Sequence, residues 1–420
     1  MGKTFSDFNK KPNKKNTNNI KQDLNIEVTE EFNNIHEALS DDKNKFIFVS
    51  GVAGTGKTSL ISQIKELYSK SMVVAPTGIA AMNAGGVTIH SLFRLPIGPM
   101  PEPAEQYGFK RQLLESLELL IIDEISMVKA DVLDSVSYSL QMHRNNNEAF
   151  GGLKIIAFGD LFQLSPVHNE DDLEILKANG YESSFFFQAH DIQNIQPTML
   201  QLTKVFRQKD QNFKNLLNNI RVGKNLKKTI DEINKACIKK ATSTKDHLTL
   251  TTRTENADII NRQRLSKLKG EELVYSATHE GDYFDHKKLD KQLPAPRELI
   301  LKKNSRVIFV KNNGKVWVNG TLGTVVNVES TSVLVKIDNG EIVRVEPSVW
   351  EHFRHKLNPE TEKIEREVVA SFKQVPLRLG WAVTIHKSQG LTLDNCTVDV
   401  GEDGAFTHGQ LYVALSRCRS

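Results

Sequence analysis

With 420 residues, 39% of them hydrophobic and 25% charged, the chain is long enough for two or three domains, each with its own core, and sits in the soluble globular range. No run approaches the roughly 18 apolar residues of a membrane-spanning helix, and the Lys- and Asn-rich start lacks the apolar stretch of a secretory signal. The net charge of +4 excludes a uniformly basic nucleic-acid binder: six Lys and two Asp before residue 25 supply all of it, so any nucleic-acid surface must be a local groove.

Residues 1–24 read as a disordered basic arm. From Asn25 short apolar runs alternate with helical periods. The run 46–49 leads into Gly51-Val52-Ala53-Gly54-Thr55-Gly56-Lys57-Thr58, and Leu60, Ile61, Ile64, Leu67 and Tyr68 then line one helix face. That is G-x-x-x-x-G-K-[ST] in its required strand–loop–helix setting. The glycines let backbone N–H groups close on phosphate oxygens, Lys57 reaches the β- and γ-phosphates, and Thr58 holds Mg²⁺. Gly51, Ala53, Gly54, Thr55, Gly56, Lys57, Thr58 and Ser59 are therefore the expected ATP-binding residues.

The apolar run Leu119–Ile122 ends in Asp123-Glu124. Two carboxylates at a strand's C-terminal end suit Mg²⁺ ligation by Asp123 and proton abstraction from an attacking water by Glu124. A further run, 153–158, precedes Gly159-Asp160-Leu161-Phe162-Gln163, whose Gln can contact a γ-phosphate. Strands alternating with helices predict a parallel sheet covered on both faces.

A second α/β region is expected from near Leu200, with strands at 199–202, 248–251 and 397–400. Between these, residues 306–349 alternate in strand fashion around Asn313-Gly314, Asn319-Gly320 and Asn339-Gly340, which predicts an inserted antiparallel β module. Arg207 and Arg417 stand as candidate charge stabilisers, although spacing alone does not select them from the other arginines. Cys237, Cys396 and Cys418 are far apart in sequence; that spacing suggests neither a zinc site nor a disulfide framework, and it favours a reducing cytosolic setting.

Taken together the segments resemble superfamily-one helicases, and more narrowly the Pif-type (petite integration frequency) family, from about residue 45 to the end. The P-loop, Ala75-Pro76-Thr77-Gly78, Thr88-Ile89-His90-Ser91, Asp123-Glu124-Ile125-Ser126-Met127 and Gly159–Val167 carry the first half of the match. Val318-Asn319-Gly320-Thr321, Thr384-Ile385-His386-Lys387-Ser388-Gln389-Gly390 and Gly409–Arg417 carry the second. Asp131, Asp134, Arg144 and Phe150-Gly151-Gly152 look like the signature that separates this family from the related RecD and Dda types.

The resemblance implies two RecA-like α/β domains: 25–87 with 113–188, and 189–265 with 376–420. A wedge at 88–112 and a Src-homology-type β-barrel at 266–375 would be inserted into them. It implies a 5′→3′ DNA helicase hydrolysing ATP with Mg²⁺ in the inter-domain cleft. Lys57, Glu124, Gln163, Arg207 and Arg417 would be catalytic, the two arginines acting as fingers from the second domain, with Gln389 and Gly390 near the γ-phosphate. Pro76, Thr77, Gly78, His90, Ser91, Thr384, His386 and Lys387 would contact single-stranded DNA. The implied partners are single-stranded DNA and forked or tailed duplexes, with RNA–DNA hybrids and G-quadruplexes as further candidates. The expected active unit is a monomer, with a dimer on DNA as the alternative, in a bacterial or phage cytosolic setting without a membrane.

Three departures stand out. Val28-Thr29-Glu30-Glu31-Phe32 lacks the adenine-reading Gln of many family members, which puts adenine selectivity in doubt. Ala149 replaces a Pro before Phe150, and the chain stops soon after Arg417, where the family has a closing strand. A P-loop kinase would explain Lys57 and Thr58 but neither the late arginines nor a second α/β domain. A DNA-binding ATP switch would predict a degraded Glu124, Gln163 or Arg417, and all three are intact.

Overall fold

The computed structural model describes residues 30–419 except 97, 169, 239–246, 282–292, 314–315, 358–363 and 402–403. The expected arm 1–24, Val28 and Thr29 lie outside the described residues. Those residues fall into two compact units divided between Asn44 and Lys45. In the first, the helix Glu30–Ser40 buries Ile35, Ala38 and Leu39 on one face. Phe32 and His36, one turn apart, meet edge to face at 4.5 Å.

The second unit begins with six parallel strands: β1 Phe46–Gly51, β2 Ser71–Ala75, β3 Val87–Thr88, β4 Leu119–Ile122, β5 Lys154–Gly159 and β6 Thr198–Leu202. Their order is β3-β2-β4-β5-β1-β6. The inner strands read as unbroken apolar runs because helices cover both faces, and β2 and β4 are buried at every position. The order sets β2, β4, β5 and β1 side by side, so the segments that follow them emerge along one edge. Phe93 and Trp381, which could have been base-stacking platforms, are both buried.

Two expected boundaries of the first domain move. Strand β6 pairs in parallel with β1, Ile47 against Thr198 through Gly51 against Leu202, so the first domain extends past 188 and residues 199–202 do not open the second. Its alternating burial marks a strand, but periodicity does not say which sheet it joins. The expected wedge boundary at 112 falls inside the helix Phe109–Ser116. Leu113 and Leu114 on that helix enter the first domain's core, and the helix also packs beside the strand Ser348–Leu357.

The signature residues anchor this connection. Arg144 donates to the carbonyls of Leu114, Glu115 and Leu117 and, through Nε, to that of Gly151. Asp131 accepts from the Met100 N–H at 2.7 Å, and His143 Nε2 accepts from the Gln106 N–H at 2.8 Å. Asp134 accepts from the Tyr181 hydroxyl and from the N–H groups of His190 and Asp191. Their contacts are structural: they hold the 100–117 connector and the region preceding β6 against one helix, Ala130–Arg144.

The second domain's sheet is parallel: Leu248–Thr251 lies between Ala382–Thr384 and Cys396–Asp399. The inserted module is antiparallel. Arg306–Phe309, Leu322–Val328, Val333–Ile337, Ile342–Val345 and Leu377–Leu379 form a five-stranded sheet over a core that includes Val307, Phe309, Trp317 and Val335. The last of these strands lies beyond the expected end of the module at 375. Ser348–Leu357 and Ile364–Gln374 pair as a long hairpin.

Candidate functional site

The P-loop leaves β1 and enters the helix Lys57–Leu67 through Gly54 and Gly56 at φ 87° and 84°, a region open to glycine without cost. The close approach at Gly54 is specific, because a Cβ there would sit 2.5 Å from Arg207 Cβ. Lys57 Nζ donates to the Gly51 carbonyl at 2.7 Å and the Val52 carbonyl at 3.3 Å. Burial lowers its pKa, Glu124, Asp160 and Asp123 oppose that, and Arg417 adds to it. Thr58 and Ser59 open the helix with exposed side chains.

Asp123 is buried at the end of β4 and accepts from the Glu124 N–H at 2.9 Å. Burial first, and then the neighbouring Glu124, push its carboxyl up to about 7, against the pull of Lys57. Glu124 sits at φ 52°, ψ 43°, a left-handed conformation that costs a non-glycine residue on the order of 1 kcal/mol. The turn Ile125–Met127 holds it there, and Glu124 Oε2 is buried without a hydrogen-bond partner. Gln389 Nε2 on the opposite wall is in the same state. A buried unpaired acceptor facing a site that also holds unpaired donors fits a polar ligand with both kinds of group.

Three cations converge here. Arg417 is 2% exposed and donates to the Val413 carbonyl and to Ser416 Oγ. Burial, and then Arg207, bring its pKa down to about 9. Arg207 is likewise lowered, mainly by burial, and donates to the Ser416 carbonyl at 3.1 Å. Lys57, Arg207 and Arg417 all lose hydration in one place, so a polyanion bound among them would restore what burial removes.

Several contacts of the site were not legible in the sequence. Arg207 lies in the segment directly after β6, against the P-loop, with the Phe206 N–H on the Gly54 carbonyl at 2.9 Å. Tyr412 Oη accepts from the Ala53 N–H at 3.2 Å, so the second domain's helix Gln410–Leu415 touches the P-loop directly. Gln163 is buried and donates to Asp160, and Asp160 is paired with Arg221 at 2.9 Å. The Arg221 guanidinium also lies 4.3 Å over the Phe162 ring. The apolar run into Gly159-Asp160 signalled the loop, but nothing signalled its partner.

Two predictions arise from these contacts. Arg221→Ala leaves the fully buried Asp160 carboxylate without its arginine partner, so it should destabilise the protein by about 3–5 kcal/mol. A thermal unfolding midpoint equal to that of the parent would contradict this. Gly409, at φ 81°, presses on the Gln loop so closely that a Cβ would stand 2.0 Å from the Gln163 carbonyl oxygen. Gly409→Ala should therefore push the Gln163 loop away from the second domain and cut ATP turnover by about 10²-fold, as an ångström-scale misplacement does. Unchanged steady-state hydrolysis would show that this contact is dispensable.

Of the expected DNA-contact residues, Thr77, Gly78, Thr384, His386 and Lys387 line one cavity, whereas Pro76, His90 and Ser91 do not. Pro76 and Thr77 follow β2, and Thr77 Oγ1 caps the helix Gly78–Asn83 by accepting from the Ala80 N–H. Thr88 caps Ile89–Phe93, which presents His90 and exposes Ser91. Across the cleft Thr384 is buried, and its hydroxyl accepts from the Lys387 N–H at 3.3 Å. The His386 ring stacks on Phe406 at 6.2 Å, and the Arg253 guanidinium lies 5.6 Å from the same ring. Neither Arg253 nor Phe406 was singled out from sequence. Burial lowers the pKa of His90 and His386, which favours the neutral ring, a group that offers hydrogen bonds or a ring face. A cavity of about 520 Å³ joins the two sets: Thr58, Asp123 and Glu124 line it together with Thr77, Thr384, His386, Lys387, Gln389 and Gly390.

The profile of the PIF1-like helicase family matches residues 23–231. An ATP-dependent DNA helicase Pif1 from Bdellovibrio bacteriovorus is 32% identical over 94% of this chain and 86% of its own length. An ATP-dependent DNA helicase PIF1 from Emericella nidulans is 34% identical over 90% of this chain, which spans only 58% of that longer protein. A crystal structure of Pif1 helicase from Bacteroides in complex with ADP-AlF3 and ssDNA is 38% identical and has a TM-score of 0.67, covering 94% of this chain and 91% of that one.

Proposed function

Because the chain belongs to the PIF1-like helicase family, we propose that it is an ATP-driven motor that moves 5′→3′ along single-stranded DNA and unwinds the duplex ahead. The observation that carries this reading is the shared cavity, where nucleotide-site residues of one sheet face strand-contact residues of the other. A change at the phosphates therefore acts directly on the surface that grips DNA.

The chemistry divides among the chain's own residues. Lys57 from the first domain, Arg207 from the linker and Arg417 from the second draw the domains together over the triphosphate, because all three gain from the same anion. Glu124 accepts the proton of the attacking water, and Gln163 reports loss of the γ-phosphate to the second domain through its packing against Gly409. Thr58 and Asp123 are the residues that would hold Mg²⁺, which neutralises charge on the phosphates when bound. Loss of the γ-phosphate removes the shared contact and lets the cleft reopen. Opening and closing while one domain holds the strand moves the protein along it.

DNA contacts built from backbone donors, Lys387 and ring faces predict sequence-tolerant, salt-sensitive binding. The substrates are single-stranded DNA and tailed or forked duplexes, and the working unit is a monomer, with a dimer on DNA as the alternative. A reducing cytosolic setting accords with three cysteines that are all free thiols. Strand separation on two partial duplexes, one with a 5′ tail and one with a 3′ tail, tests the function. Unwinding from the 5′ tail alone is the expected result. Unwinding only from the 3′ tail would overturn the polarity, and hydrolysis without unwinding on either would leave a translocase.

A further inference from the structure

The chain's three cysteines take no part in the mechanism, yet two of them meet. Cys396 opens the strand Cys396–Asp399, Cys418 directly follows Arg417, and their sulfurs lie 3.0 Å apart. The backbone sets this approach. The Leu393 N–H donates to the Arg417 carbonyl at 2.9 Å, and the Arg419 N–H donates to the Leu393 carbonyl at 3.0 Å, forming a bridge between Leu393 and Cys418. Both side chains are half-buried, so a small solute can reach them. This sulfur–sulfur contact, in which either thiol can donate, lowers the Cys418 pKa and, together with burial, raises that of Cys396. Cys418 is thus the more acidic of the two and takes the attacking role, with Cys396 beside it as the resolving thiol. The wide sequence spacing had suggested no pairing, because spacing says nothing about which strands lie side by side.

We propose that Cys396 and Cys418 form a reversible thiol–disulfide pair that takes hydroperoxides as oxidant and slows ATP turnover when closed. In the first step the Cys418 thiolate attacks one peroxide oxygen, the O–O bond breaks, and the leaving hydroxide takes a proton and departs as water. Cys418 is then a sulfenic acid. The Cys396 sulfur attacks the Cys418 sulfur, the S–O bond breaks, and the Cys396 proton leaves with the oxygen as a second water. Two thiols and one hydrogen peroxide thus give one disulfide and two waters.

A disulfide holds its sulfurs about 2 Å apart, so closure brings the two sulfurs about 1 Å closer and pulls on the residue after Arg417. That movement reaches the finger through ties already in place: Gln208 Nε2 donates to the Ser416 and Cys418 carbonyls, and Arg207 donates to the Ser416 carbonyl. The pairing stands on the sulfur geometry alone. Its effect on turnover rests on the motor function proposed for the cleft.

The test uses the full chain, reduced and then exposed to hydrogen peroxide, with peptide mapping by mass spectrometry alongside DNA-stimulated ATP hydrolysis. The expected results are a peptide linked between Cys396 and Cys418, turnover lower by about 10-fold or more, and recovery with dithiothreitol. Cys396→Ser should hydrolyse ATP normally and lose sensitivity to peroxide. A link involving Cys237, no link at all, a link without loss of turnover, or inhibition that persists in Cys396→Ser would each overturn the proposal. Reduced protein without hydrolysis would instead refute the motor function, and the peptide map would still decide whether the thiols pair.

Discussion

Glu124→Gln is expected to bind ATP and single-stranded DNA as the parent does and to lose about 10²–10⁴-fold in DNA-stimulated hydrolysis, the contribution of a positioned general base. The argument rests on its environment. Glu124 closes an apolar strand, is held in a left-handed turn, and keeps a buried carboxylate oxygen that no protein donor satisfies. Such an oxygen is costly unless a ligand group meets it. The amide keeps the side chain's shape but is a far weaker base, so binding and chemistry should separate. Lys57→Ala is the companion: it removes the ammonium proposed to reach the phosphates and should abolish hydrolysis while leaving DNA binding largely intact. Normal turnover in either variant would refute the assignment of the site.

Arg417→Ala should reduce turnover by about 10³–10⁵-fold, the range of transition-state arginines in nucleotide hydrolases, with a much smaller change in ATP affinity. In this structure the guanidinium is buried beside Arg207 and within the field of Lys57 and Glu124. Two buried like charges weaken each other, so both have most to gain when negative charge develops between them. Arg417→Lys distinguishes charge from shape. An ammonium cannot reproduce the planar fork that donates to the Val413 carbonyl and Ser416 Oγ together, so the lysine variant should stay well below the parent. Equal losses in KM and kcat for the alanine variant, or a collapsed thermal midpoint, would point to a structural role.

The sequence was sufficient wherever the chemistry is local. A P-loop is one strand, one turn and one helix start, so residues 46–67 contain all the information their geometry needs. The same holds for Asp123-Glu124 at the end of an apolar strand and for the antiparallel module with its Asn-Gly turns. The two α/β regions and the inserted module were likewise legible, because burial on one or two faces leaves its period in the chain.

What the sequence could not decide is which of these local pieces touch. Strand β6 looks like any short strand, and only pairing with β1 places it in the first sheet. Asp160 and Arg221 lie on different elements and find each other because neither charge can be buried alone. Tyr412 meets Ala53, Gly409 meets Gln163, and Cys418 meets Cys396 through the packing of the second domain on the first and the register of two strands. Periodicity records how deeply a residue is buried, and motifs record what its backbone must do. Neither records the neighbour across an interface. The sequence by itself thus determined the family and the local geometry of the P-loop and the acidic strand end, whereas the meeting of the two arginines, the P-loop and the cavity between the sheets exists only once tertiary packing has chosen the partners.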